Sequence, residues 1–530
     1  TTLLCSANID LSYLLHSIQV SYMKKIVLFF SLSILLLASY AQLSNQVRAF
    51  RVGHQKDLLL AYKSFLEIPN VASDQSGIKK NADWIASLMK DKGIGNVQLL
   101  NPITNGMPPA VYGEVITPGA NETIILYAHY DGQPVDSSKW MKGLHPFKPQ
   151  LANGSLINQA TIIDWKNLDE TIDPNWRIYG RGASDDKAGV FSIIHAYGIL
   201  KQLGVKPTVN IKFFFEGEEE AGSPHLHEIF EKYQQLLKGD MWVICDGPVH
   251  QSGRKQVVFG VRGDTHMELT VFGPKRPLHS GHYGNWIPNP AMDLAKLLAS
   301  MKDDEGNVLV KGFYDDVVPL TAAEKTALAK VPPVEEQMKK ELGIRKPERI
   351  STLNESLNLP SLNINGIQSA AVGNLSANVI PTKAVASIDL RLVVGNDWKR
   401  QQQKVIAHIQ SKGYHVVYSE PTDDERMHHD KICMVHLSSG YNAQKTPMEH
   451  AFAKRVVNAV NLAIGYEAVQ LPTLGGSLPL FIFEEKLHAQ PITIPIANHD
   501  NNQHAENENI RIGNLWDALE IFTSIMTIGK

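Results

Sequence analysis

The feature that most constrains this chain is an apolar run that ends in a row of carboxylates. Phe213-Phe-Phe215 is typical of a buried strand, and Glu216-Gly-Glu-Glu-Glu-Ala-Gly-Ser223 follows it directly. Like charges this close repel one another, so the arrangement becomes favourable when a strongly positive group such as a divalent metal ion lies among them. The alternative is a solvated acidic helix start, because Asp and Glu favour the first helical turn. The choice depends on whether other parts of the chain supply metal ligands.

Length and composition narrow the class of protein. The 530 residues exceed what one hydrophobic core usually supports, so we expect two domains. The hydrophobic share of 43% and the charged share of 20% are ordinary for a soluble globular protein. The net charge of -3 is close to neutral and there is no long basic run, so the sequence does not indicate a nucleic-acid partner.

Residues 1–41 predict a leader that is separate from the fold. Met23-Lys-Lys25 precedes the apolar run 26–37, and small residues follow just before Gln42, which is typical of a secretory signal peptide. We interpret residues 1–22 as upstream sequence, and an uncleaved anchor is the alternative to cleavage. The expected protein has no stable membrane anchor and is secreted across an inner membrane into a bacterial periplasm.

The first metal-ligand candidate follows a predicted central strand. Thr123–Ala128 is apolar throughout, and functional residues gather at the carboxyl ends of such strands in open α/β sheets. His129 stands at this end as a candidate metal ligand. Asp131, two residues further on and on the same face, can reach the other imidazole nitrogen. A structural histidine is the alternative.

Two further carboxylate positions follow. The glycine loop Gly180-Arg-Gly-Ala-Ser-Asp-Asp-Lys187 opens a predicted helix, and its spacing matches neither a P-loop nor a dinucleotide fingerprint. Asp185 and Asp186 are therefore metal-ligand candidates, with N-capping of the helix as the alternative. The predicted strand 241–245 ends in Asp246. His, Asp and Glu together suit Zn²⁺ or Mn²⁺ better than Ca²⁺, which prefers oxygen ligands alone.

The periodicity of the chain predicts a two-domain α/β protein. A metal-binding α/β domain with a mixed sheet is expected over 42–262 and 439–530. It is interrupted over 263–438 by a unit of strand-helix-strand-helix-strand pattern, which predicts an inserted α+β domain. The polar segment 136–176 is predicted to be a long loop that shapes a substrate entrance. Residues 311–378 have no repeating pattern.

These residues resemble those of a known family, the M20 metallopeptidases, which includes carnosine-type dipeptidases, glutamate carboxypeptidases, aminoacylases and desuccinylases. The resemblance extends over most of residues 50–528. The motifs on which it rests are His129-Tyr-Asp131, Gly180-Arg-Gly-Ala-Ser-Asp-Asp-Lys187, Glu216-Gly-Glu-Glu-Glu-Ala-Gly-Ser223, Asp246, His279-Ser-Gly281 and His504. Each motif is short, but their order and spacing are specific.

The resemblance implies two divalent metal ions bridged by the carboxylate of Asp185. His129 and Asp246 would complete the ligands of one ion. Glu220 and His504 would complete those of the other. Zn²⁺ is the expected ion, with Mn²⁺ or Co²⁺ as alternatives.

The resemblance also implies catalytic roles. Glu219 becomes the general base in preference to Glu218, because the acidic pair of the family lies directly before the small residue and Gly-Ser. His279, in the inserted domain, would stabilise the oxyanion, commonly in the active site of a partner subunit. We therefore expect a homodimer formed through the inserted lid or dimerisation domain.

Substrate binding follows from the same resemblance. Arg391 would bind the free carboxylate of the substrate, for which a guanidinium fork is suited, and the alternative is an ordinary strand-edge charge. Gly475, Gly476 and Ser477 would offer backbone donors to the same carboxylate.

The expected function is hydrolysis of the amide bond of dipeptides or short peptides that have a free C-terminal carboxylate, by a metal-activated water and a Glu general base. An N-acyl amino acid amidohydrolase is the alternative enzyme, because the same site cuts either bond. A catalytically inactive binding relative is the alternative outside enzymes. Metal content and EDTA-sensitive hydrolysis distinguish it from the enzymes.

Overall fold

The computed structural model of the chain describes residues 42–168, 171–476 and 479–529. The predicted leader, residues 1–41, and the substrate-binding candidate Ser477 lie outside these ranges. Within them, no helix is both long and apolar enough to cross a membrane.

The described strands form two large sheets and three smaller ones. In chain order they are β1 (Gly95–Leu100), β2 (Ala110–Val115), β3 (Thr123–His129), β4 (Gln150–Ala152), β5 (Ile162–Ile163), β6 (Arg177–Tyr179), β7 (Asn210–Glu216), β8 (Met241–Ile244), β9 (Gln256–Val258), β10 (Gly260–Val261), β11 (Gly263–Phe272), β12 (Leu278–His279), β13 (Ser361–Gln368), β14 (Val379–Ile380), β15 (Lys383–Leu392), β16 (His415–Val417), β17 (Ile432–Leu437), β18 (Gln444–Lys445), β19 (Val469–Leu471), β20 (Pro491–Thr493) and β21 (Asn509–Arg511).

The described ranges also contain helices. In chain order they are α1 (42–66), α2 (Gln75–Lys92), α3 (Lys187–Gln202), α4 (Leu226–Tyr233), α5 (Ser280–Tyr283), α6 (Pro290–Ala299), α7 (Ala322–Ala329), α8 (Glu335–Leu342), α9 (Leu353–Leu357), α10 (Trp398–Ser411), α11 (Asp423–His428), α12 (Ala451–Ile464), α13 (Phe481–Leu487) and α14 (Ile512–Met526).

The larger sheet has eight strands in the order β1-β2-β7-β3-β8-β20-β9-β19 and is mixed, as the sequence predicts. The strand β3 is central and pairs in parallel with β7 and β8. Alternate side chains of these strands enter two cores. One core contains α1, α2, α3, α12 and α14, and the other contains α4 and α13. Burial on both faces explains the continuous apolar runs of the central strands.

The parallel direction of β3, β7 and β8 brings their carboxyl ends to one edge of the sheet. His129 is the last residue of β3, the acidic row 216–220 follows β7, and Asp246 follows β8. The helix α3 begins beside the same edge. Its N-cap is Asp186, whose side chain accepts a hydrogen bond from the backbone N–H of Gly189. Asp186 therefore has the capping role, which leaves Asp185 as the metal-ligand candidate of this loop.

The second large sheet has five strands in the order β13-β15-β11-β17-β16, all between Gly263 and Leu437. The helices α6 and α10 pack against one face through its apolar side chains. This is the α+β unit that the sequence predicts, with β13 and β17 as two strands beyond the predicted three. The opposite face presents polar residues, among them Asp264, Asp389 and Arg391. The domain limits at 262 and 438 stay predictions.

Two segments contain elements that the sequence did not predict. The predicted loop 136–176 includes β4 and β5, which join β6 and β21 in a four-stranded sheet, so the loop prediction is wrong there. The segment 311–378 contains α7, α8 and α9. None of these helices exceeds eight residues, and little more than two turns is too short for helical periodicity to emerge.

Candidate active site

The first group of possible ligands surrounds His129. Its side chain is fully buried, and its Nε2 lies 3.0 Å from Oδ1 of Asp185. The same nitrogen lies 3.9 Å from a carboxylate oxygen of Asp246 and 3.9 Å from one of Glu219. His129, Glu219 and Asp246 each offer a ligand atom within 4.8 Å of the others. Three elements that are distant in sequence thus converge on one point.

The second group adjoins the first through Asp185. Nε2 of His504 lies 3.1 Å from Oδ2 of Asp185 and 3.2 Å from Oε2 of Glu220. These three residues also offer ligand atoms within 4.8 Å of one another. The two oxygens of Asp185 therefore face different histidines, which is the geometry that a bridging carboxylate requires.

Asp131 holds parts of both groups in place. Its carboxylate is fully buried and accepts hydrogen bonds from the backbone N–H groups of Glu219 and Glu220, each at 3.0 Å. Its Oδ1 lies 3.3 Å from Nδ1 of His129. One side chain thus orients both the imidazole and the acidic turn, so Asp131 acts through other residues.

The electrostatics of the site show a surplus of buried negative charge. Burial and the charge of Asp185 raise the pKa of Asp246 to about 7. Burial and the charge of Asp246 raise the pKa of Glu219 well above its ordinary value. Hydrogen bonds to Asp185 and Glu220 raise the pKa of His504 to about 10. Divalent cations would relieve this repulsion, so the donor set fits a pair of metal ions.

Glu218 points away from both groups. Its Oε1 accepts a hydrogen bond from the backbone N–H of His225 at 2.7 Å, and its Oε2 lies 3.0 Å from Nδ1 of that residue. Of the three consecutive glutamates, Glu219 and Glu220 face the site.

The site opens into a cleft of about 660 Å³ between the two large sheets. Arg391 of the five-stranded sheet lines this cleft together with Gly475 and Gly476. A hydrogen bond from Nε of Arg391 to Oδ2 of Asp389, at 3.1 Å, orients the guanidinium. The structure thus brings the substrate-binding candidates that it describes to the same cavity as the two ligand groups.

His279 does not lie among the described residues that line this cleft. It is exposed on β12, and its Nδ1 accepts a hydrogen bond from the backbone N–H of Gly281 at 3.0 Å.

Some residues at the site were not found from the sequence. Gln133 donates from Nε2 to Oε2 of Glu220 at 2.7 Å. It lies two residues beyond Asp131, so the alternation that indicated Asp131 could also have indicated Gln133. Leu353 and Leu357 of α9 form part of the cleft wall. No sequence signal marked them, because α9 has only five residues.

The fold and this site together define a class: α/β proteins with an inserted α+β unit and two adjoining groups of His and carboxylate ligands at strand ends. The model of peptidase family M20/M25/M40 matches residues 125–527, and the chain belongs to this family. The family resemblance predicted from the motifs is confirmed, and with it the chain's class as a hydrolase of the metallopeptidase type.

Individual relatives extend the comparison over most of the chain. Cys-Gly metallodipeptidase dug1 of Schizosaccharomyces pombe is 26% identical over 477 residues, covering 86% of this chain and 92% of the relative. Beta-Ala-His dipeptidase of Homo sapiens is 27% identical over 440 residues, covering 81% of this chain and 79% of the relative. The crystal structure of the M20 family metallo-carboxypeptidase Sso-CP2 from Sulfolobus solfataricus matches with a TM-score of 0.71 and 27% identity. The match covers 89% of this chain and 98% of that protein.

Proposed function

We propose that this chain is a di-metal hydrolase that cleaves the amide bond of dipeptides or similar short peptides with a free C-terminal carboxylate. The proposal depends above all on one observation: Asp185 presents its two oxygens to two separate histidines, at 3.0 and 3.1 Å. The relatives named as dipeptidases support the substrate class.

The chain would hold two metal ions with five side chains. Asp185 would bridge them, His129 and Asp246 would complete one set, and Glu220 and His504 the other. A mixed set of imidazole and carboxylate ligands favours Zn²⁺, with Mn²⁺ or Co²⁺ as alternatives. When bound, such a pair of ions polarises a scissile carbonyl and lowers the pKa of a water molecule.

Glu219 is proposed as the general base. It lines the cleft as part of the group around His129, whereas Glu218 is engaged by His225. It would take a proton from the attacking water and deliver it to the leaving amine. Glu219 also offers a carboxylate oxygen within 4.8 Å of the ligand atoms of His129 and Asp246, so metal ligation is the alternative role. The two roles differ in whether Glu219→Gln retains both metal ions.

Arg391 is proposed to bind the substrate carboxylate, assisted by the main chain at Gly475 and Gly476. Its position in the cleft, fixed by Asp389, supports this role. A guanidinium forms a directional pair with a carboxylate, so the clamp would set the distance from the substrate's terminal carboxylate to the scissile bond. The same clamp would accept an N-acyl amino acid, which is the alternative substrate class.

His279 is proposed to act across a homodimer. It is exposed and does not line the described cleft of its own chain, which supports a role in a partner's site. Exposed apolar side chains, Trp286 near α5 and Ile367 on the edge strand β13, support an interface on the inserted unit. Mixing inactive Glu219→Gln with inactive His279→Ala should restore activity, because a mixed dimer contains one intact site. No recovery on mixing would contradict the shared site.

Export is proposed from the leader pattern in residues 23–41, with the protein acting in a bacterial periplasm. The composition of that segment supports this location.

The proposed function is tested with purified protein and three substrate types: a dipeptide, its C-terminal amide and an N-acyl amino acid. We expect EDTA-sensitive cleavage of the dipeptide and poor cleavage of the amide. Preferred cleavage of the N-acyl amino acid would favour the amidohydrolase instead. Protein that binds no metal and cleaves none of the three would be the inactive binding relative.

A further inference from the structure

A buried carboxylate outside the proposed ligand set, Glu508, joins two segments of the site. It is 0% exposed and lies four residues beyond His504, just before β21. Burying a carboxylate costs free energy unless donors compensate its charge, so its hydrogen-bond partners indicate its role.

Among the described residues, five groups donate to the Glu508 carboxylate, and all five belong to the loop that presents Asp185. Oε1 accepts from the backbone N–H of Ser184 at 2.8 Å, from its hydroxyl at 3.0 Å, and from the backbone N–H of Asp185 at 3.0 Å. Oε2 accepts from the backbone N–H of Gly182 at 2.9 Å and from Nη1 of Arg181 at 2.8 Å. The Asp185 loop is thus bound along its length by one side chain.

The same loop binds back to the segment that contains His504. Nη2 of Arg181 donates to the backbone oxygen of Ala505 at 3.1 Å, and the N–H of Gly180 donates to the backbone oxygen of Glu508 at 3.0 Å. Ala505 adjoins His504. These contacts join the segment of His504 to the loop of Asp185 and so contribute to the separation of 3.1 Å between the two side chains.

The other ligands are placed differently. His129 and Asp246 lie at the ends of paired strands of the large sheet, so their position depends on the sheet. His504 has no such support, because it lies in an irregular segment between β20 and β21. Loss of the Glu508 contacts should consequently affect the group Asp185, Glu220 and His504 more than the group around His129.

We propose that Glu508 is a positioning residue that sets the metal affinity of the group Asp185, Glu220 and His504. This inference rests on the proposed di-metal function. Residues that orient metal ligands typically contribute about ten- to a hundredfold to metal affinity. We expect Glu508→Gln to weaken the binding of one of the two ions by about this factor and that of the other ion less.

The test is a titration of metal-free full-length protein with Zn²⁺ against a competing chromophoric chelator. A matched control is Glu520→Gln. Glu520 is also a buried carboxylate, on α14, and it accepts two hydrogen bonds from Arg48 of α1. Wild type and the control should each bind two equivalents of Zn²⁺, and the affinities measured for the control should equal those of wild type. Glu508→Gln should bind one equivalent as wild type does and the second about ten- to a hundredfold more weakly, with activity recovered at saturating Zn²⁺.

Unchanged affinities in Glu508→Gln, or an equal loss in Glu520→Gln, would overturn the inference. If Glu508→Gln does not fold, Ser184→Ala decides, because it removes one donor and leaves the carboxylate. A raised dissociation constant for one ion is expected for Ser184→Ala, and no change would overturn the inference. Failure of wild type to bind two equivalents would contradict the proposed function itself.

Discussion

His504 lies 3.1 Å from Asp185 through its Nε2, on the carboxylate oxygen opposite the one that faces His129. Asp185 is thus the only proposed ligand shared by both groups among the described residues. Asp185→Asn should therefore reduce metal retention more than any other single ligand substitution, such as Glu220→Gln or Asp246→Asn. Metal analysis after dialysis against chelator measures this. Two equivalents retained by Asp185→Asn as firmly as by wild type would show that Asp185 does not bridge.

Metal affinity should rise with pH between 6 and 8. Hydrogen bonds to Asp185 and Glu220 raise the pKa of His504 to about 10 in the metal-free site, so the imidazole is protonated throughout this range. A metal ion binds only the neutral imidazole and must displace that proton, which gives up to about tenfold tighter binding per pH unit for each proton displaced. Asp246, with a pKa of about 7, adds a further proton at the acidic end.

Chelator competition at pH 6, 7 and 8 measures this dependence, and calorimetry in buffers of different ionisation enthalpy measures the released protons. Dissociation constants that do not change with pH would contradict the proposed ligation by His504.

The Arg391 side chain should determine the preference for a free carboxylate. A charge-assisted pair contributes about 1.5 to 3 kcal/mol, or one to two orders of magnitude in discrimination. Wild type should cleave a dipeptide faster than its amide by about this factor, and Arg391→Ala should lose the difference. Arg400→Ala is the matched control, because Arg400 is a largely exposed arginine of the same inserted unit, paired with Asp316. A preference that survives in Arg391→Ala would place the carboxylate site elsewhere.

The mature chain should begin near Gln42 and occur in the periplasmic fraction, because residues 23–41 have the basic start, apolar run and small residues of a cleaved leader. Intact-mass measurement of protein isolated from cell fractions checks both points. A chain that begins at Met23, or activity confined to the cytoplasm, would contradict export.

Local sequence determined much of the main sheet and its ligands. The apolar run 123–128 predicted a central strand, and β3 ends in His129 as expected. The structure places the predicted metal ligands in two adjoining groups. The order of the motifs was sufficient to predict that these residues lie close together, because parallel neighbouring strands bring their carboxyl ends to the same edge of the sheet.

Other parts of the site depend on contacts that local sequence does not encode. The interactions of Glu508 come from residues 181–185, more than three hundred positions earlier in the chain. The choice between Glu218 and Glu219 depends on a single turn at the end of β7, where a shift of one residue redirects the side chain towards His225. The helix α9, which supplies Leu357 to the cleft, is too short to have a periodic pattern.

Glu219→Gln should retain both metal ions and lose activity by about a hundredfold or more, because it removes a positioned general base. Glu218→Gln is the matched control and should remain near wild-type activity, since His225 engages Glu218 away from the cleft. Loss of a metal ion from Glu219→Gln would instead identify Glu219 as a ligand.

The most direct test of the di-metal account is a titration of metal-free wild-type protein with Zn²⁺ while cleavage of one dipeptide is followed. We predict that activity rises until two equivalents per chain are bound and then levels off, and that excess EDTA abolishes it. Cleavage that is complete at one equivalent, or that is absent at every loading tested with Zn²⁺, Mn²⁺ and Co²⁺, would contradict the account.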